Sequence, residues 1–124
     1  MRMSPPTRRR RAASPRTAVT GAAPIFAALG DETRLRLVAR MSAGGPLSIV
    51  QLTGGSGVTR QAVTKHLHVL AEAGLVRDSR EGRERRWELD PSRLEEARHA
   101  LDVISQQWDR TLGRLKAFLE RSAR

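Results

Sequence analysis

Gln61, Thr64, Lys65, His68 and Glu72 recur at spacings of three and four, with Arg60 beside them, which gathers them on one face of a helix. The set is rich in hydrogen-bond donors. A Gln side chain can bond adenine N6 and N7 together, so Gln61 is the first candidate base reader; Arg60 and Lys65 can each take guanine or phosphate. His68 lies on the same side, where phosphate contact or plain solvation would suffice. Thr59 can cap the helix start, leaving backbone N–H groups where a phosphate could bind. Close behind come Arg77, Arg80, Arg83, Arg85 and Arg86, set against Asp78, Glu81 and Glu84. This chemistry suits contact with a polyanion.

Those side chains need elements to hold them. Val63, Leu67 and Leu70 form an apolar stripe on the back of the same helix, which Ala73-Gly74 ends. Upstream, Ser48 caps a short helix through Thr53, and Gly54 to Gly57 make the turn between two crossed helices. That is a helix-turn-helix. Downstream, Leu75 to Arg80 and Arg83 to Leu89 are expected to pair about a Glu81-Gly82 turn as a two-stranded wing. A helix in the major groove would then be flanked by an arginine tip in the minor groove. Ahead of these, Pro24 to Leu29 reads as a first helix, and Asp31 caps a second that runs to about Ala43. Leu35, Val38 and Met41 of that second helix are expected in the core. Gly44-Gly45-Pro46 stops it.

The last helix is expected from Asp90-Pro91-Ser92 to about Glu120, with either Asp90 capping ahead of Pro91 or Ser92 in a capping box with Glu95. Leu94, Leu101, Trp108 and Leu115 recur every seven residues, as do Ala97, Ile104, Thr111 and Phe118. That is the a/d seam of a coiled coil, with Leu112 beside it. At about 1.5 Å per residue the helix is roughly 40 Å long, too long for a small domain to cover. A second copy of the chain is therefore expected on the seam, with Trp108 as anchor. The competing expectation is that Trp108 and Phe118 pack on the first helix of their own chain.

From Ile25 to Leu119 the chain resembles the ArsR-type (ArsR/SmtB) winged-helix transcriptional repressors. The resemblance is carried by Phe26-Ala-Ala-Leu-Gly-Asp-Glu-Thr-Arg-Leu-Arg-Leu37, Val63-Thr-Lys-His-Leu67, Leu70 to Val76, and Gly82-Arg83. It implies DNA contact by Arg60, Gln61, Thr64 and Lys65, with Arg83 and Arg85 on the wing. Trp87 stands where an aromatic, usually Tyr, is common in the second wing strand. The resemblance also implies a dimer interface made by the first and last helices, which adds Phe26 to the seam, and it implies repression. The stretch Gln106 to Glu120 is similar to that of cysteine-free members without metal sites, often autorepressors. Their control by a partner, a small molecule or expression level stays open.

Charge and composition bound the alternatives. The net charge is +10 over 124 residues, which favours an anionic partner. No acidic residue occurs from Thr33 through Ala71, so the presumed reading region does not repel phosphate. Zero cysteines exclude disulfides and thiolate ligands from the chain. His99, Asp102, Asp109 and Glu120 of the last helix do not reproduce the family's metal-ligand spacing, and His66, which matches a histidine frequent in the family, is expected to have a structural or capping role. No metal or cofactor is expected. Catalytic signatures are missing too: there is no Gly-x-Ser-x-Gly elbow, and Gly54-Gly-Ser-Gly57 lacks the Lys-Ser/Thr of a phosphate loop. With two Phe, two Trp and no Tyr, the chain offers few stacking platforms for unpaired RNA bases.

Residues 1–21, with Arg2, Arg8 to Arg11 and Arg16 and no acid, are expected to be a disordered basic arm. Such an arm would add phosphate contacts or be dispensable. Residues 22–120 would form the folded unit and 121–124 a tail. No segment approaches a membrane span, and the apolar stretch Ala18 to Leu29 is too interrupted for a signal core. The expectation is a mainly α winged helix-turn-helix with a small hairpin wing and a long dimerisation helix. It would be a cytoplasmic, nucleoid-associated homodimer on palindromic double-stranded DNA. The alternatives are a repressor responsive to an unrecognised ligand, metal or protein effector, and a non-specific architectural DNA binder.

Overall fold

The computed structural model describes residues 14–123. Helix α1 (Pro15–Gly21) is followed by α2 (Ala23–Leu29), α3 (Glu32–Gly44), strand β1 (Leu47–Ser48), α4 (Ile49–Thr53), α5 (Arg60–Glu72), strands β2 (Val76–Glu81) and β3 (Glu84–Leu89), and α6 (Pro91–Ser122). The caps read from the sequence hold. Asp31 accepts the Arg34 N–H at 3.0 Å, Ser48 that of Gln51 at 3.2 Å, and Thr59 that of Ala62 at 3.1 Å. At α6 the two capping options resolve to Asp90, whose carboxylate accepts both the N–H and the hydroxyl of Ser92. Ser92 hydrogen bonding holds the Asp90 carboxyl below its ordinary range, and the Arg34 N–H does the same for Asp31. Both caps therefore stabilise the fold above the usual carboxylate pKa and lose that contribution as the pH falls.

Four expectations are corrected. Pro15–Gly21, placed in the disordered arm, is helical: Ser14 caps it, Pro15 occupies its first turn, and it packs on α6. The rest of the arm, Arg2 and Arg8 to Arg11 included, lies outside the described residues. The wing is a three-stranded antiparallel sheet in the order β1-β3-β2, since Leu47 pairs with Trp87 and Ser48 with Arg86. Its turn is Gly82-Arg83, one residue later than expected, because Glu81 pairs with Glu84. A two-residue hairpin needs positive φ at its first central position, which Gly82 supplies at +65°. Finally, Leu35 is half exposed while Leu37 is buried with Met41. Leu37 and Met41 share the inner face at a spacing of four, and Leu35 lies two residues off it.

One core unites these elements: Ile25, Leu37, Met41, Leu52, Val63, Leu67, Leu70, Leu75, Val76, Trp87 and Ala97 are all buried in it. Gly74 turns α5 into β2 at φ +77°, and a side chain there would also meet Arg93. The Asp90 N–H donates to the Leu75 carbonyl at 2.8 Å, so α6 starts from the same junction. Two arginines tie helices together through carbonyls. Arg34 donates to Ala28 and Ala27 at the end of α2. Arg40 reaches from α3 to the carbonyls of Gln51, Leu52 and Gly54 at 2.5, 2.8 and 3.0 Å, closing the end of α4 where helices leave acceptors unpaired.

Arg40→Ala is expected to cost about 1.5–3 kcal/mol, the range for hydrogen bonds to a charged donor. It should appear as a lower urea midpoint at unchanged m. A midpoint equal to wild type would remove the role given to Arg40.

Candidate nucleic-acid interface

Helix α5 is fixed from behind. Val63, Leu67 and Leu70 have no exposed surface at all, while Gln61, Lys65, His68 and Glu72 on the other side are exposed. A second, polar attachment sits on the flank. The His66 Nδ1 lies 3.4 Å from the Arg34 guanidinium and 3.8 Å from the Asp31 carboxylate. The structural role read for His66 matches this position between α3 and α5.

The remaining site residues sort by what already holds them. Thr59 spends its hydroxyl oxygen on the Ala62 N–H, and Thr64 donates its hydroxyl to the Arg60 carbonyl at 2.9 Å. Gln61 and Lys65 stand clear on the front, with Arg60 at the first turn. His68 leans toward the wing, its ring centroid 6.3 Å from that of Trp87. Trp87 is 4% exposed and belongs to the core. It thus fixes the hairpin against α5.

The wing arginines divide in two. Arg85 bonds the Asp78 carboxylate at 2.7 Å and lies 4.7 Å above the Trp87 ring; Arg77 pairs with Glu88 and Arg86 with Glu84. By contrast, Arg80 and Arg83 make no side-chain hydrogen bond or ion pair among the described residues, and neither do Arg60 and Lys65 on α5. Four unpaired cations therefore lie on the reading helix and the wing. The Asp78 carboxylate already offsets the charge of Arg85. No spacing rule in the sequence separated Arg85 from Arg83, because the separation depends on which residue enters the turn.

The seam residues also divide. Phe26 and Leu94 pack partly into their own core. Leu101, Ile104, Trp108, Leu112 and Leu115 are exposed by 44 to 62%, with Phe118 and Leu119 continuing the face. Trp108 and Phe118 are 62% and 58% exposed within their own chain. Among the described residues, no cluster of three or more His, Asp or Glu side chains could hold a metal, and no helix is long and apolar enough to cross a membrane.

A helix pinned by its apolar back beside an arginine-tipped hairpin is the reading head of a winged helix-turn-helix DNA-binding protein. Comparisons with known proteins carry this to a family. A family model described as a helix-turn-helix domain matches residues 29–78. The chain is 42% identical over 85 residues to the HTH-type transcriptional regulator Rv2034 of Mycobacterium tuberculosis, covering 68% of this chain and 76% of the relative. It is 28% identical over 100 residues to the arsenical resistance operon repressor of Escherichia coli, covering 81% and 83%. The solved structure of an ArsR-like transcriptional regulator from Rhodococcus sp. RHA1 superposes with a TM-score of 0.69 at 34% identity, over 80% of this chain and 92% of that one. The chain belongs to the ArsR-type winged-helix transcriptional regulators, a DNA-binding and non-enzymatic class.

If Lys65 takes phosphate, Lys65→Ala is expected to weaken binding to all DNA sequences alike and to lower the salt slope by about one. Arg85→Ala should change the slope by less, because Asp78 already neutralises it. Equal slopes for the two variants, measured by anisotropy over a salt series, would contradict the sorting of cations.

Proposed function

We propose that the protein is a homodimeric repressor that occupies a two-fold-symmetric operator, and that it acts without a bound metal. The observation that carries this reading is the unpartnered face of α6. Leu101, Ile104, Trp108, Leu112 and Leu115 follow the coiled-coil spacing on a helix whose own domain covers only its first turns. A row of large apolar side chains left in water is a strong signature of an interface, and a repeat of this kind suits a second copy of the same helix. Two-fold pairing would carry two α5 helices to half-sites about one turn of DNA apart, some 34–36 Å, or a multiple of it.

Within each half-site, Gln61 reads a base, Arg60 and Lys65 contact guanine or phosphate, and Thr59, Thr64 and His68 line the same surface. Arg80 and Arg83 reach the flanking backbone or minor groove, with Arg85 behind them. Repression is supported by the name of the Escherichia coli relative, and it would follow from occupying a promoter that polymerase needs. Arsenic-type control has no basis in this chain's own side chains, because soft thiolate ligands are absent from it. The architectural alternative predicts binding that competitor DNA removes.

Trp108 is 62% exposed, so Trp108→Glu should leave the fold intact by circular dichroism. Sedimentation should then show a monomer, and operator binding should be lost. A Trp108→Glu protein that remains a dimer and binds the operator would overturn the interface.

A further inference from the structure

The unpaired cations of the reading helix and wing account for less than half of the net charge of +10, and the distal half of α6 carries part of the rest. Arg110, Arg114 and Arg121 lie along one line of this helix, about 140° round it from the line of Leu101, Trp108 and Leu115. They therefore point away from the seam. All three are exposed, and from Ile104 onward so is every described residue of α6, which leaves this stretch clear of α5 and the wing. None of the three meets a carboxylate among the described residues: Arg110 reaches the Gln106 carbonyl of its own helix at 3.4 Å, and Arg114 the Thr111 hydroxyl at 3.5 Å. Asp109 and Glu120, the acids of this half, fall on another line about 110° away. Gln107 and Thr111 complete an open cleft of about 560 Å³ with Arg110 and Arg114. Every side chain lining it can donate a hydrogen bond.

We propose that this stripe is a second polyanion surface, separate from the reading head, which holds the phosphate backbone of a second DNA segment. Its chemistry separates the possible partners. An acidic protein would need an apolar or aromatic anchor at the centre of the contact, and the stripe has none. An anionic membrane would take up the apolar seam of α6 together with its basic side. The seam is given to the second copy, so this step rests on the dimer reading above. A nucleic-acid backbone needs neither feature, since its phosphates take guanidinium pairs and neutral donors directly. From Arg110 to Arg121 the stripe runs about 16 Å, long enough to meet several phosphates of one strand. Contacts of this kind carry no sequence preference. A protein seated through its head would then hold a second duplex through α6, at the raised local concentration that tethering supplies.

Full-length wild type is compared with two double variants of equal charge change: Arg110→Gln with Arg114→Gln on the stripe, and Arg36→Gln with Arg98→Gln elsewhere. All four positions are exposed and glutamine keeps the helix propensity, so circular dichroism, urea midpoint and sedimentation should match wild type. Each protein is loaded on an immobilised short duplex that engages its head, and capture of a labelled, unrelated second duplex is measured over a salt series. Wild type and the Arg36, Arg98 control should capture it equally. The stripe variant should capture roughly tenfold less, with a salt slope lower by about two and an unchanged affinity for the first duplex. Capture equal to wild type, an equal loss in the control, or a matching loss on the first duplex would overturn the second surface while leaving the head intact. So would wild type that captures no second duplex, whether or not it pellets with anionic vesicles. Sedimentation of wild type as a monomer would overturn the dimer reading separately.

Discussion

A helix that offers its front to DNA must be held entirely from behind, and the burial of Val63, Leu67 and Leu70 is the constraint on which the rest of this fold depends. Each of these side chains is sealed from water, and each such burial contributes about 1.5–3 kcal/mol. No contact on the front of α5 is then needed to keep the helix in place. Leu37 and Met41 of α3, Leu52 of α4, Leu75 and Val76 of the hairpin, and Trp87 of its second strand supply the matching surface. The same core thus fixes both the reading helix and the wing. Their relative positions are set before any DNA arrives.

Charge follows from that arrangement. Most arginines near the core are already employed: Arg34 and Arg40 satisfy helix-end carbonyls, and Arg77, Arg85 and Arg86 neutralise carboxylates within the sheet. The cations left without partners among the described residues include Arg60, Lys65, Arg80 and Arg83, on the two elements expected to meet DNA. A net charge of +10 alone would support any anionic partner. Subtracting the cations that hold the fold together leaves a smaller set, with a place and a direction.

The repeating patterns in the sequence account for most of what the structure contains. The caps at Asp31, Ser48 and Thr59, the apolar stripe of α5 and the seam of α6 depend on neighbours within a turn or two, so their signals are local. Strand β1 was not legible because its two residues gain their partners, Trp87 and Arg86, from far along the chain. Arg40 was equally silent: its acceptors lie 11 to 14 residues away across a turn. Arg85 read as a wing contact like Arg83, since only the hairpin register decides which of them faces Asp78 and which enters the turn. The helix at Pro15–Gly21 was masked by the basic composition around it, although Ser14-Pro15 carries an N-terminal signal. Patterns within one element were readable, and pairings between elements were not.

The central claim is that two copies of this reading head address DNA together. Hydroxyl-radical footprinting on the fragment upstream of the protein's own gene, in physiological salt with excess unrelated competitor, tests it most directly. Two protected stretches related by a two-fold axis are expected, with centres about 34–36 Å or a multiple of that apart. A single unrepeated footprint, or protection that the competitor erases, would contradict it.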